Sequence, residues 1–218
     1  MNILPFQHGP SDGDIFAHIA EALQETGYIV LTDVFATELL QTLFLDIKQT
    51  DSDEFHEAGI GRYNDHQLNN FVRRDRIHWL DCGYAPVRPY LDWMERLRQT
   101  LNQNLFLGLF DYECHYAHYQ CGAFYKKHYD AFRGESIRRL STILYLNPSW
   151  QPQDGGELVL YDEQDTTLQT VAPSFGKLVI FLSEEFPHEV LPTHCSRYSL
   201  TGWFRINNSD AQRVDPPV

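Results

Sequence analysis

Eight runs in the second half of the chain decide the fold: YECHYAHYQ (112–120), AFYKKHYD (123–130), RLSTILYLN (139–147), ELVLYD (157–162), TTLQTVA (166–172), KLVIFL (177–182), HEVLP (188–192) and RYSLTGWFR (197–205). Each is short and rich in β-branched and aromatic residues, which suit a half-buried pleated surface. Turn formers separate them: Gly122, Asn147–Pro148, Asp154–Gly155–Gly156, Pro173 and Gly176. Such spacing predicts a β-sandwich, jelly roll or barrel. Upstream the texture is helical. Ser11 with Asp14 three residues on reads as a capping box, and Ile15, Ile19, Ala22 and Leu23 follow at helical spacing up to Gly27. Tyr28 to Leu31 reads as a short strand. A second helix starts near Thr37 with Leu39, Leu40, Leu43, Phe44 and Ile47 on its apolar side. A third, about Val87 to Leu105, carries Leu91, Met94, Leu97, Leu101 and Leu105. From Asp51 to Arg76 the chain is polar and irregular, with Gly59 and Gly61, and reads as a mobile loop. No Pro/Gly/Ser linker divides the halves, so the helices are expected to pack on the sheet. The expected architecture is mainly β with N-terminal helices (α+β), one domain over 1–218: helical support and loop in 1–110, β core in 111–206, a C-terminal tail in 207–218.

Composition narrows the function. At 218 residues the chain can bury a sizeable core without staples. With 43% hydrophobic and 22% charged residues it is an ordinary globular balance, which excludes a largely disordered chain. The formal charge of −13, from 30 acids against 17 bases, repels phosphate and argues against nucleic acid as a partner. No apolar run approaches a membrane span; FLGLF (106–110) is far too short. The N-terminal residues lack the basic cluster of a secretory signal, so a cytoplasmic location is expected. Cys82, Cys114, Cys121 and Cys195 form no C-x-x-C pair and read as reduced thiols.

Ten histidines invite a metal hypothesis. His8, His18, His56 and His66 have no suitably spaced partners, and surface or capping roles suit them. His115 and His118, three apart on a predicted strand, point to opposite faces and do not share an ion without a bulge. His128 and Asp130 differ: two residues apart on an extended strand, they project from one face. A His-x-Asp pair arises often by chance, so a third ligand is needed. His188, closing the strand KLVIFL after Pro187, is the candidate. Arg197 follows nine positions later, at the start of what is expected to be the adjacent strand, where it and His188 can face one cavity.

The last strand supports this. Its odd positions read Arg197, Ser199, Thr201 and Trp203; its even ones Tyr198, Leu200, Gly202 and Phe204. A polar face on an antiparallel strand usually meets solvent. That accounts for Ser199 but less well for an arginine beside His188. Two histidines and a carboxylate give three ligands to an octahedral ion and leave three positions open, the facial arrangement of non-haem iron(II) oxygenases. A 2-oxo acid chelates two of them and dioxygen takes the other. Zinc prefers a tetrahedral site and does not activate oxygen. An arginine deeper in the barrel can grip the far carboxylate of 2-oxoglutarate in a bidentate, charge-assisted pair, with a tyrosine hydroxyl beside it.

H128-Y-D130, H188-E-V and R197-Y-S-L-T-G-W203, with STILYLN and DGGEL between them, resemble the prolyl hydroxylase branch of the 2-oxoglutarate/iron oxygenases, in particular the hypoxia-inducible-factor prolyl hydroxylases and their bacterial counterparts. The likeness covers about residues 112–205, with a fainter echo upstream in RRDRIHWL (73–80). It implies a double-stranded β-helix, or jelly roll, carried by N-terminal helices. It implies His128, Asp130 and His188 as iron ligands. Arg197 and Tyr145 take the positions that bind the cosubstrate carboxylate, and Tyr119 and Thr201 line that pocket. Arg138 and Trp203 fall at its mouth near the substrate, and Trp79 in the upstream echo joins them. The implied cofactors are iron(II), 2-oxoglutarate and dioxygen, with ascorbate as an auxiliary reductant. The implied partner is a protein carrying a target proline, elongation factor Tu in bacterial members, with residues 51–76 closing over it. The chain departs from the family in a shorter approach to His128 and a different loop at FRGESI (132–137), so the substrate stays open. Two alternatives stand beside this: the same chemistry on a small molecule or free amino acid, and a jelly-roll module that holds metal or a carboxylate without turnover. Taken alone, Tyr145 and Trp203 read as core residues and Gly155–Gly156 as a turn.

Overall fold

Ser11 caps the first helix reciprocally: its hydroxyl accepts from the Asp14 N–H while the Asp14 carboxylate accepts from the Ser11 N–H. Helix α1 (Asp12–Glu25) then buries Ile15, Phe16, Ile19, Ala20 and Leu23. Gly27, at φ +78°, ends it in a conformation that disfavours a side chain, and a Cβ there would stand 2.8 Å from the Phe186 ring. Strand β1 (Tyr28–Leu31) and helix α2 (Thr37–Gln49) follow as expected, and helix α3 runs over Arg88–Leu105. The computed structural model describes residues 11–58, 71–81, 83–131 and 137–208.

The segment expected to be an irregular loop is ordered structure at both ends. A 3-10 turn occupies Ser52–Glu54, β2 spans His56–Glu57 and β3 spans Asp75–Leu80. DRIHWL did not read as a strand because its burial runs against its polarity: Asp75 is buried, Trp79 is exposed and the rest are half buried. Positions 59–70 of the expected loop, most of FRGESI and most of the C-terminal tail lie outside the described residues.

All eight β-rich runs form strands: β4 (Leu109–Tyr119), β5 (Tyr125–His128), β6 (Arg138–Tyr145), β7 (Leu158–Tyr161), β8 (Thr167–Val171), β9 (Leu178–Leu182), β10 (His188–Val190) and β11 (Arg197–Ile206). Among the described residues they make two antiparallel sheets. The major sheet has the order β1-β9-β6-β11-β4-β3-β2 and the minor sheet β5-β10-β7-β8. Helices α1, α2 and α3 cover the outer face of the major sheet, through a core that includes Ile19, Leu43, Met94, Leu97, Leu144, Leu200 and Phe204. The second core lies between the sheets, with Tyr119, Ile143, Tyr145, Val179 and Phe181 meeting Leu158, Leu160, Val171 and Val190. Fully burying an aliphatic side chain of this size contributes about 1.5–3 kcal/mol. The result is three layers, helices on sheet on sheet. No helix among the described residues is long and apolar enough to cross a membrane.

The major sheet is therefore buried on both faces, and β11 shows it. Arg197, Ser199 and Trp203 on its polar face are as buried as Leu200 and Phe204 on the other. The polar face looks into the sandwich, not at solvent. One further expectation changes. His188 and Arg197 are not on neighbouring strands: β10 pairs with β5 and β7 in the minor sheet, whereas β11 pairs with β4 and β6 in the major one. The turn between them carries the chain from one sheet to the other, as in a jelly roll.

Candidate metal centre and carboxylate pocket

Cα register sets His188 opposite His128 across β10 and β5, so the two imidazoles meet with ring centroids 4.3 Å apart. Strand β5 ends at His128; Asp130 lies past it, in a bend, and not on the extended strand the sequence suggested. The Asp130 carboxylate still reaches both rings, its Oδ1 being 3.5 Å from His128 Nε2 and 3.6 Å from His188 Nε2. All three ligating atoms fall within 4.8 Å of one another.

Each group is oriented by what it touches on the other side. His128 Nδ1 lies 2.8 Å from the Lys126 carbonyl and His188 Nδ1 lies 3.0 Å from the Phe186 carbonyl. A carbonyl only accepts, so both Nδ1 atoms carry the proton and both Nε2 lone pairs turn to the common centre. Asp130 Oδ2 accepts from Ser141 Oγ at 2.7 Å and from the Trp203 indole at 2.9 Å, which leaves Oδ1 for the centre. The Tyr125 ring stacks on His128 with centroids 3.5 Å apart, and the Arg73 guanidinium, paired with Asp75 at 2.7 Å, lies over the other face of Tyr125 at 4.4 Å. Burial pushes the Asp130 carboxyl up, but His188 and His128 outweigh it and hold it well below the usual range. Burial likewise pulls His188 down until Asp130 overrides it, and burial with His188 beside it lowers His128.

The major sheet supplies the opposing wall. Arg197 is 1% exposed, and its Nε donates to the Gly156 carbonyl at 2.9 Å. Its guanidinium lies 4.8 Å from the Tyr119 ring centroid and 5.0 Å from that of Tyr145. Among the described residues no acidic side chain pairs with it. The Tyr145 hydroxyl is buried and has no hydrogen-bond partner there. Burial, opposed by Arg197, pushes it up to about 12, so it stays a donor. A buried cation without an anion and a buried hydroxyl without an acceptor are both costly. Together they fit a carboxylate, and the two-imidazole, one-carboxylate donor set fits a divalent ion with open positions. Thr201 Oγ1 stands 3.4 Å from Ser199 Oγ on the same strand.

Toward the rim, Arg138 lies 3.6 Å over the Trp203 ring and pairs with Glu113 at 2.7 Å. Trp79, 50% exposed, sits 6.2 Å from Trp203, with His115 against both rings. His118 points away and stacks on Tyr198. Four contributors were not legible in the sequence as site residues: Gly156, whose carbonyl holds Arg197; Ser141, which orients Asp130; and Tyr125 with Arg73, which back His128. Gly156 carried a signal as half of a Gly-Gly turn, and Ser141 and Arg73 lay inside the matching motifs STILYLN and RRDRIHWL without being singled out.

Comparison with known proteins agrees with this geometry. Residues 114–205 match the sequence model of the 2OG-Fe(II) oxygenase superfamily. Egl nine homolog 1 of Rattus norvegicus is 25% identical over 203 residues, 86% of this chain and 57% of that protein. Prolyl 3-hydroxylase OGFOD1 of Mus musculus is 40% identical over 201 residues, 87% of this chain and 35% of that protein. The chain thus spans roughly a third to little more than half of these curated relatives. The crystal structure of a Pseudomonas putida prolyl-4-hydroxylase superposes with a TM-score of 0.79 at 40% identity, covering 88% of this chain and 98% of that one. With that identity sustained across nearly the whole of the Pseudomonas chain, the protein belongs to the prolyl hydroxylase branch of the 2OG-Fe(II) oxygenases.

Proposed function

We propose that this protein is a 2-oxoglutarate- and iron(II)-dependent dioxygenase that hydroxylates a prolyl residue of a protein substrate at carbon 4. The carrying observation is the opposition of two half-sites: two imidazoles of the minor sheet with the Asp130 carboxylate converging on them, and on the major sheet a buried guanidinium and hydroxyl that no acidic side chain among the described residues meets. Iron(II) with 2-oxoglutarate, when bound, would supply the electrons that activate dioxygen, 2-oxoglutarate being oxidised to succinate and CO₂, so that one oxygen atom reaches a C–H bond of the substrate. His128, Asp130 and His188 would hold the ion and Arg197 and Tyr145 the far carboxylate, with Tyr119 and Thr201 lining the pocket.

The chain's own part is binding, orientation and exclusion of water. The Lys126 and Phe186 carbonyls keep both imidazoles in the ligating tautomer. Ser141 and Trp203 fix the free oxygen of Asp130. The apolar inter-sheet core keeps water from the buried guanidinium, where a paired charge counts most. Arg138, Trp203 and Trp79 would present a flat, partly cationic wall to a prolyl ring. Carbon 4 follows the prolyl-4-hydroxylase on which the chain superposes with a TM-score of 0.79; the prolyl 3-hydroxylase is 40% identical as well, so the position is read from the product. Elongation factor Tu is the candidate substrate offered by the resemblance to bacterial members, and ascorbate the auxiliary reductant.

The test is direct. The protein is incubated with iron(II), 2-oxoglutarate and cell extract, and peptides that gain one oxygen atom are sought by mass spectrometry, with fragmentation separating the 3- and 4-isomers. Succinate release coupled to a hydroxylated prolyl peptide is expected. Oxidation of free proline as fast as of a protein target would overturn the protein-substrate reading, and binding without 2-oxoglutarate consumption would leave a non-catalytic module.

A further inference from the structure

Two thiols that the site does not use lie together at one end of the major sheet. Strands β4 and β11 end their pairing at Tyr119 opposite Arg197; beyond it the chain turns, with the Ala123 N–H donating to the Gln120 carbonyl at 2.8 Å and Gly122 at φ +83°, and the turn carries Cys121 against the segment that precedes Arg197. The backbones stay side by side there. The Gly122 N–H donates to the Thr193 carbonyl at 2.7 Å, and the Thr193 N–H to the Ala123 carbonyl at 3.0 Å. The Cys121 thiol donates at 3.0 Å to the carbonyl of His194, the residue before Cys195. That carbonyl belongs to the peptide unit that leads into Cys195, so the two cysteines stand about one side chain's length apart, the kind of spacing a disulfide spans. Both cysteines are free; Cys121 is exposed and Cys195 half-buried. Burial, Asp154 and Cys121 itself hold the Cys195 thiol above its usual range. Cys121 is thus the thiol open to an oxidant, and Cys195 the one placed to resolve it.

We propose that Cys121 and Cys195 form a redox modification site, closing to an intrachain disulfide when the protein meets a peroxide. The Cys121 sulfur attacks the peroxide, the O–O bond breaks, and sulfenic acid and one water are formed. The Cys195 sulfur then attacks the Cys121 sulfur, the S–O bond breaks, and the hydroxyl leaves with the Cys195 proton as a second water. Two thiols give up two electrons and hydrogen peroxide is reduced to two waters.

The place gives the bridge its consequence. Thr193, fully buried, makes an isolated β-bridge to Gly155, next to the Gly156 carbonyl that holds Arg197. A disulfide would clamp segment 119–123 to segment 193–197, and those segments carry Tyr119 and Arg197. Cys114, buried under the helices with its thiol pushed up to about 12 by burial, is the inert control.

The full chain, reduced and desalted, is exposed to hydrogen peroxide, alkylated and digested without reductant. A cross-linked peptide pair carrying Cys121 and Cys195 is expected, lost on treatment with dithiothreitol, with Cys114 alkylated throughout. In Cys195→Ser, Cys121 should be trapped as sulfenic acid by a cyclic dione probe; in Cys121→Ser, Cys195 should remain a thiol. Backbone hydrogen exchange over 119–123 and 193–197 should slow in the oxidised wild type and in neither variant. Pairing of Cys121 with Cys82 or with a second chain, or over-oxidation of both thiols without a bridge, would overturn the site. A bridge that leaves exchange unchanged would overturn the clamp. None of these readouts depends on iron, 2-oxoglutarate or activity.

Discussion

Arg197 is the residue on which the pocket turns, and its neighbours define how it can fail. Arg197→Ala leaves a bound carboxylate without its charge partner, so the 2-oxoglutarate requirement should rise by an amount worth roughly 2–5 kcal/mol. Steady-state titration with 2-oxoglutarate checks this; an unchanged requirement would assign the carboxylate elsewhere. Gly156→Ala tests the same charge from behind. At φ +68° a side chain is strained, and its Cβ would stand 3.0 Å from Arg197 Cδ. Melting stability should drop by ~1–2 kcal/mol, and 2-oxoglutarate affinity should weaken more than that loss alone explains. His115 offers a pH signature away from the ligands. Burial, with Arg73 nearby, lowers it to about 3. The unfolded chain binds this proton below about 6.5 and the folded chain does not, so stability falls as pH drops from about 6.5 toward 3, at about 1.4 kcal/mol per pH unit. Urea unfolding across that window should show a shallower slope in His115→Gln. At this scale the sequence named the groups that would touch a metal or a carboxylate, because chemistry restricts those to few residue types. It did not name the backbone carbonyls and hydroxyls that aim them, since Ser141 or Gly156 looks like any serine or glycine until the fold brings it near.

Strand ends, more than strand interiors, build the metal centre. His128 closes β5, His188 opens β10, and Asp130 stands in the bend beyond. Within β5 only His128 reaches Asp130, at Oδ1; the other oxygen is fixed by Ser141 on β6 and Trp203 on β11. Ser141→Ala and Trp203→Phe should therefore each weaken manganese(II) binding, roughly 10–100-fold, with far-UV circular dichroism unchanged. If either variant bound metal as tightly as wild type, the carboxylate would be set by β5 alone. Period-two alternation located β11 and its polar face, and turn residues located every strand from β4 onward. What alternation did not convey was which sheet a strand joins, so Arg197 was placed next to His188 instead of opposite it. The β3 segment escaped because burial runs against polarity there, with Asp75 buried and Trp79 exposed, so no two-residue hydrophobic period shows.

The whole molecule depends on pairings distant in sequence. Among the described residues strand β1 is bonded only to β9, with Tyr28 opposite Phe181, and β11 returns along β4. Helix α1 and β1 complete the covered face of the major sheet. A fragment of residues 109–208, which holds every strand of the site except β3, should for that reason fail to fold, exposing the outer face of β4, β6, β9 and β11. Dispersed amide exchange in such a fragment, comparable to the full chain, would contradict this. Layering was legible from the order of helical and β-rich segments, whereas the division of strands between two sheets was not.

That division has one more consequence. Both imidazoles belong to one sheet and the guanidinium to the other, and stacked sheets stand about 10 Å apart. The sandwich then acts as a caliper: its jaws are set by the core residues between them, and a dicarboxylate is admitted by length. A ligand one methylene shorter or longer should reach one jaw and miss the other, and a core substitution such as Val171→Ala, on a strand that pairs with neither jaw, should alter which length is accepted.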